Sequence, residues 1–183
     1  MVSASQDPGP MEPIARVATR KDVPLLAELG ACTFRESSPI TPREDVESYV
    51  RENFTPEKLL ACLNIKNASA LMLEKNGQAI GYALLSPGKA PNQLVPPHSI
   101  QIKWLYILEE WTGRKLGDVL MARCHEHARH LGIGSVWLTV WKNNRRAIRF
   151  YERWGFRKVG TFDFVVGRDI QEGFVLLKNI PTA

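Results

Sequence analysis

The sequence predicts a single α/β domain of the α+β kind, in which a mixed, mostly antiparallel central sheet of about seven strands carries helices on both faces. Two observations predict it. Residues 99–131 read as strand, tight turn and helix. Ile100, Ile102, Trp104 and Tyr106 alternate, and Leu116, Val119, Leu120, Cys124, Ala128 and Leu131 keep to one face at 3.6-residue spacing. The other strand patterns come in succession rather than singly between helices. The order β-α-α-α-β-β-β-α-β-α-β-β is not the alternation of a doubly wound fold. A chain of 183 residues suits one domain with a full core.

Each element has its own local cause. Residues 1–13 form a Ser/Pro/Gly extension without the basic start and apolar centre of a signal peptide, and Met11 is a second candidate start. Ile14, Arg16 and Ala18 suggest a first strand. A helix begins at Lys21-Asp22 and carries Val23, Leu25, Leu26, Leu29, Cys32 and Phe34. Thr41-Pro42-Arg43-Glu44 reads as a helix start with Thr41 as cap, and Thr55-Pro56-Glu57 as another. A strand around Ala70 and Met72 turns at Asn76-Gly77 into its partner, Ala79 to Leu85. Ser86 to His98, with four prolines, is a loop. After the strand–turn–helix, Gly132 ends the helix, Val136 to Trp141 is a buried-type strand, and Asn144 caps a helix that Gly155 terminates. Phe156 to Phe164 and Phe174 to Leu177 close the sheet, with Val165 to Glu172 between them.

Composition narrows the function. With 44% hydrophobic and 23% charged residues the chain is of ordinary soluble type, and its apolar runs are too short to span a bilayer. Cys32, Cys62 and Cys124 fit neither a disulfide framework nor a zinc site, so reduced thiols and a cytoplasmic location are expected. The net charge of +5 is uneven: −2 over residues 1–110, +8 over 111–158 and −1 over 159–183. Nucleic acid is one partner for such a patch, and a small polyphosphate ligand is another. The segment's aromatics have the spacing of buried residues, which argues against single-strand binding. His125, His127 and His130 lack the i, i+4 spacing of a helical metal pair and read as surface residues, and no metal is expected. The sequence leaves the oligomeric state open, a homodimer included.

Chemistry concentrates in two stretches. In Thr112-Gly113-Arg114-Lys115-Leu116-Gly117, the glycines keep side chains off the first helical turn. Thr112 is the candidate N-cap. The exposed N–H groups at such a start attract phosphate oxygens. The pattern is neither a dinucleotide fingerprint nor a triphosphatase loop. The second stretch is Asn144-Arg145-Arg146-Ala147-Ile148-Arg149-Phe150-Tyr151-Glu152-Arg153-Trp154-Gly155-Phe156. Its Asn-x-x-Ala-Ile-x-Phe-Tyr-x-x-x-Gly-Phe pattern, some 25 residues after the Gly-rich helix start, resembles the GNAT superfamily of acetyl-CoA-dependent N-acetyltransferases over residues 14–180. Trp137-Leu138-Thr139-Val140-Trp141, Thr33-Phe34 and Phe164-x-x-Gly167 are similar to the branch with bacterial polyamine acetyltransferases.

The resemblance implies an acetyl-CoA cosubstrate. It makes residues Thr112, Gly113, Arg114, Lys115, Leu116 and Gly117 the pyrophosphate cradle. Ile107 and Leu108 would pair their backbone with the pantetheine arm, Asn144 would anchor the cofactor, and Tyr151 would sit beside the thioester sulfur. Arg145, Arg149 and Arg153 form one helix face, either solvated or in contact with the 3′-phosphate. Tyr151 has a second reading as a core residue, since it shares the apolar face with Ala147, Ile148 and Trp154. The acceptor is expected to be a primary amine on a small molecule, near Phe34 and Glu36. The acidic residues Glu36, Glu44, Asp45 and Glu47 are either an exposed face or the approach for a cationic acceptor.

Three positions depart from the family's pattern. Thr112 stands where Arg or Gln is usual, Lys115 where a glycine is usual, and Gln101 where many relatives carry a proton-relaying glutamate. The last matters most. An alkyl ammonium of pKa ~10.4 leaves about 1 in 10³ molecules as free amine at pH 7, a handicap of roughly 4–5 kcal/mol. Gln101 can orient a water but cannot take the proton. His98, Glu36, Glu109 and Glu110 are the substitutes the sequence offers. Leu108 N–H is the expected oxyanion donor. If the base is missing altogether, the alternative is a coenzyme A-binding module with little or no turnover.

Overall fold

The computed structural model describes residues 12–38, 41–91, 94–166 and 168–181. Gly167 and residues 1–11 therefore lie outside the described residues, and with them most of the N-terminal extension. Strand β1 (Ile14–Val17) leads through a 3₁₀ turn into α1 (Val23–Ser37), followed by α2 (Arg43–Asn53) and α3 (Pro56–Leu63). Then come β2 (Ser69–Lys75), β3 (Gln78–Ser86) and β4 (Ser99–Ile107). A 3₁₀ turn at Glu109–Trp111 precedes α4 (Leu116–His130), β5 (Ser135–Trp141), α5 (Arg145–Arg153), β6 (Arg157–Val166) and β7 (Asp169–Asn179). The seven strands make one sheet in the order β1-β2-β3-β4-β5-β7-β6. Every neighbouring pair is antiparallel except β4–β5.

The sheet buries both faces. On one, Leu120, Met121, Cys124, Ala128 and Tyr151 of α4 and α5 pack on Leu71, Leu73, Ala83, Ile100, Ile102, Val136 and Leu138. On the other, Val23, Leu26, Val46, Val50 and Leu59 of α1–α3 pack on Ala70, Met72, Tyr82, Leu84 and Trp104. Strand alternation sorts the two sets, so β2, β3 and β4 each serve both cores.

Local chemistry explains most boundaries. Asn76 (φ 51°) and Gly77 (φ 77°) take the left-handed conformations that a two-residue hairpin demands. Thr55 caps α3, its side chain accepting from Lys58 N–H at 3.3 Å. Gly132 (φ 70°) ends α4, with Ile133 N–H returning to Ala128 O. Among the described residues, no helix is long and apolar enough to cross a membrane.

Four expectations need correction. The cap of α2 is Pro42, with no side-chain bond, so Thr41 stands one residue outside. The β6–β7 hairpin pairs from Arg157↔Leu177 to Val166↔Asp169, with a bulge between Lys158 and Gly160, where Val165 to Glu172 was expected to lie between the two strands. Val165 (56% exposed) and Ile170 (73%) point to solvent there, so their pairing leaves no buried face for the pattern to report. His125 is 3% exposed rather than on the surface, with its ring edge-on to Trp154 at 5.2 Å. Finally, Ile100, Ile102, Trp104 and Tyr106 do not share a face. Leu84 pairs with Trp104 but Leu85 with Ile102, which leaves Lys103 as a bulge. One surplus residue exchanges the two faces of a strand, so Ile100 and Ile102 lie towards α4 while Trp104 and Tyr106 lie towards α1–α3.

Candidate active site

The site begins where the sheet comes apart. Strands β4 and β5 pair only over Ser99–Gln101 with Ser135–Trp137. Beyond that, β4 stays on β3 as far as Ile107, and β5 stays on β7 as far as Trp141. Each strand keeps one partner and loses the other, so an edge of unpaired backbone faces the gap. Leu108 N–H donates to Ile80 O at 3.0 Å. In an antiparallel ladder the next residue then turns its N–H and C=O away from that partner. Ile107 and Leu105 thus present their amides to the open edge. The Leu108 amide is already engaged, which corrects its expected place as oxyanion donor and as a backbone partner for the carrier through its N–H.

The turn before α4 supplies the second component. Gly113 (φ 79°) and Lys115 (φ 60°) are both left-handed, and Lys115 rather than Thr112 is the N-cap of α4. Thr112 instead closes the preceding 3₁₀ turn, its N–H and Oγ1 both donating to Glu109 O, at 3.0 and 2.8 Å. Among the described residues, the N–H groups of Gly113, Arg114, Lys115, Leu116 and Gly117 find no acceptor, and the first inward bond of the helix is Asp118 N–H to Lys115 O. Five successive unpaired donors at a positive helix end form a concave nest for an anion. A Cβ built on Gly113 would meet nothing within 4 Å, so the space above the turn is open. The donors and the open space fit a pyrophosphate.

Lys115 holds its left-handed conformation without glycine's freedom, at a cost of roughly 1–2 kcal/mol. Lys115→Gly is therefore expected to raise the stability by about 0.5–1 kcal/mol, the rest being offset by the greater freedom of glycine in the unfolded chain. Urea titrations of the two proteins check it. An unchanged or lower midpoint would show that the lysine is not strained.

Helix α5 carries the third component. Asn144 Oδ1 accepts Ala147 N–H at 3.0 Å, so the side chain does cap the helix, and its amide N–H groups have no acceptor among the described residues. Arg145, Arg149 and Arg153 are exposed, and Arg153 lies over the Phe150 ring. Tyr151 is 9% exposed, with its ring edge-on to Phe150 and Phe156. Its hydroxyl makes no hydrogen bond to a described residue, yet it is not sealed from solvent as the Tyr82 hydroxyl is. Burial, and then Cys124, pushes the phenol's pKa well above its ordinary value, so it keeps its proton at neutral pH. The two readings of Tyr151 thus merge: the ring is core and the hydroxyl remains accessible.

Across the sheet from α4 and α5 lie α1, α2 and the segment that begins at Pro87. Gln101 is half-buried beside Trp137, and a Cβ on Gly88 would come within 2.7 Å of Gln101 Oε1 and 3.2 Å of Trp137 Cζ2. Gly88 therefore sits directly over both. Phe34 stacks on Tyr49 at 4.3 Å, and Phe54 leans on Phe34 and Trp104. Glu36 Oε2 accepts Glu109 N–H at 3.0 Å, tying the end of α1 to the end of β4. His98, Glu109 and Glu110 are exposed. Of the acidic residues, Glu47 is paired with Arg35 and Asp45 accepts Arg168 N–H. Glu44, Asp45, Ser48, Tyr49, Glu52, Val165 and Arg168 line a cleft of about 460 Å³. Tyr49 escaped the sequence reading as a cleft residue, because an aromatic residue at core spacing carries no mark of the cleft it borders. Among the described residues, no group of three or more His, Cys, Asp or Glu side chains could hold a metal ion.

A split sheet with an anion nest at its opening is an arrangement that suits a phosphorylated ligand. The acetyltransferase (GNAT) family profile matches residues 29–156, and the chain belongs to that family. It is 27% identical over 167 residues to an uncharacterised N-acetyltransferase of Lactobacillus delbrueckii subsp. lactis, covering 88% of this chain and 94% of the relative. It is 28% identical over 161 residues to an uncharacterised N-acetyltransferase of Mycobacterium tuberculosis, covering 87% and 98%. The fold matches that of the PaiA N-acetyltransferase of Thermoplasma acidophilum, solved with coenzyme A, at a TM-score of 0.74 and 22% identity over 93% of this chain and 100% of that one.

Proposed function

We propose that the protein transfers the acetyl group of acetyl-CoA to a primary amine of a small molecule, by direct attack within a ternary complex. The supporting observation is the run of unpaired amides from Gly113 to Gly117 beside the opening between β4 and β5. Those amides would hold the pyrophosphate. Ile107 would meet the pantetheine arm at the strand edge, and Asn144 and Arg149 would flank it from α5. Bound acetyl-CoA supplies an activated acyl group on a thiol leaving group. The overall exchange forms one C–N bond, breaks one C–S bond and moves one proton from the amine to the departing sulfur.

The chain's own contribution is chiefly positioning, which can supply several kcal/mol of the barrier. Ile107 N–H, turned to the open edge, replaces Leu108 as the donor for the acyl oxygen. Tyr151 would sit beside the departing sulfur with a phenol whose pKa burial has raised, so sharing its proton would be favoured over giving it up. Gln101, pressed beside Trp137, orients a water or the amine itself. Phe34 and Glu36 border the acceptor side. Cytoplasmic location is part of this reading, supported by the three free cysteines.

Incubation with acetyl-CoA and a panel of amines should release free thiol with at least one amine. Calorimetric binding of coenzyme A without release by any amine would instead favour a binding module, the reading that Gln101 motivates. In Gln101→Glu, a half-buried carboxylate has its pKa raised towards the working pH. The variant is expected to raise kcat at pH 7 several-fold. A pH–rate profile unchanged from wild type would show that this position does not touch the proton path.

A further inference from the structure

Asp118 stands in the wrong place for binding an anion. It lies in the first turn of α4, one residue beyond the amides that face the anion site, and its negative charge opposes a pyrophosphate there. Its carboxylate is held elsewhere, by Trp154 Nε1–H at 2.7 Å. Its own N–H donates to Lys115 O at 3.0 Å. Asp118 therefore joins the nest, through its backbone, to the end of α5, through its side chain.

A second contact runs beside the first. A Cβ on Gly117 would lie 3.2 Å from Phe150 Cε2, so the α4 backbone rests directly on that ring. Phe150 meets Tyr151 edge-on at 5.3 Å. Trp154 is gripped again by His125, two helical turns beyond Asp118 on the same face of α4. Phe150 and Trp154 bracket Tyr151 on α5.

We infer that Asp118 and Trp154 are positioning residues, whose hydrogen bond fixes the Tyr151 hydroxyl relative to the nest and passes occupancy of the nest on to α5. The inference rests on the transfer reading above. The carboxylate's cost in carrier affinity is accepted in exchange for the alignment of Tyr151. Asp118→Asn keeps the acceptor oxygen and drops the charge. Asp118→Ala and Trp154→Phe each break the bond, and the latter keeps an aromatic ring against His125.

The test measures steady-state kinetics and amide exchange in α5 with and without coenzyme A. Asp118→Ala and Trp154→Phe should each lower kcat about 10-fold, with a smaller change in KM for acetyl-CoA, and the double variant should fall no further. Asp118→Asn should keep kcat and bind coenzyme A several-fold more tightly. Coenzyme A should slow exchange at the end of α5 in the wild type and Asp118→Asn, but not in the two variants that break the bond. Additive losses, an unchanged kcat, or the same protection of α5 in every variant would overturn the inference. Wild-type turnover decides the transfer reading, while the exchange measurement decides the coupling whether or not turnover is seen.

Discussion

Replacing Tyr151 by phenylalanine is expected to lower kcat about 10²-fold, the scale of one positioned proton donor, while KM for acetyl-CoA and the unfolding free energy stay near their wild-type values. The hydroxyl has no partner among the described residues, so removing it leaves no orphaned group behind. The ring carries the packing against Phe150 and Phe156, and phenylalanine keeps it. Activity and stability therefore separate at this one atom. A phenylalanine variant with full turnover would return Tyr151 to the core and remove the leaving-group step from the proposal. A variant that lost stability in proportion to activity would do the same.

Acid should unfold the protein through His125. Burial against Trp154 and Phe156, with the charges of Lys178 and Arg129 adding to it, pulls the imidazole down to about 4. Among the described residues its Nε2 has no hydrogen-bond partner to favour the cation. The unfolded chain binds this proton near pH 6.5 and the folded chain does not, so the unfolded state gains as pH falls. The stabilising contribution is complete above about pH 6.5 and is lost progressively down to about pH 4, some 3 kcal/mol in all. Half-buried His127 is lowered as well and acts in the same direction. Urea midpoints measured between pH 4 and 7 should fall steeply in the wild type and much less in His125→Phe. Equal slopes in the two proteins would refute the assignment. Asp22, bonded to Arg16, holds its pKa far below the carboxylate range and acts only at still lower pH.

The order of elements was legible because strands and helices write different periods into the chain, and Gly77, Gly132 and Gly155 mark turns that only a left-handed residue makes. The exposed amides before α4 were legible from helix-end physics, whereas a functional role for Tyr151 was suggested only by the family resemblance. What stayed hidden depends on partners remote in sequence. Lys103 becomes a bulge only against Leu84 and Leu85. The Leu108 amide is consumed by a strand 28 residues earlier. His125 looks like a helix-surface residue until Trp154 and Phe156 cover it. Asp118 carries no signal at all without the tryptophan 36 positions away.

The bulge at Lys103 also separates two duties along a single strand. Upstream, Gln101 looks towards Gly88 and Trp137; downstream, Ile107 turns its backbone to the open edge. Because the surplus residue resets the phase between them, deleting it would turn one end of β4 inside out while leaving the other in place. A substitution at the Gln101 end is therefore expected to leave the backbone geometry at Ile107 unchanged. A strand with such an internal joint can vary at one end while keeping its shape at the other.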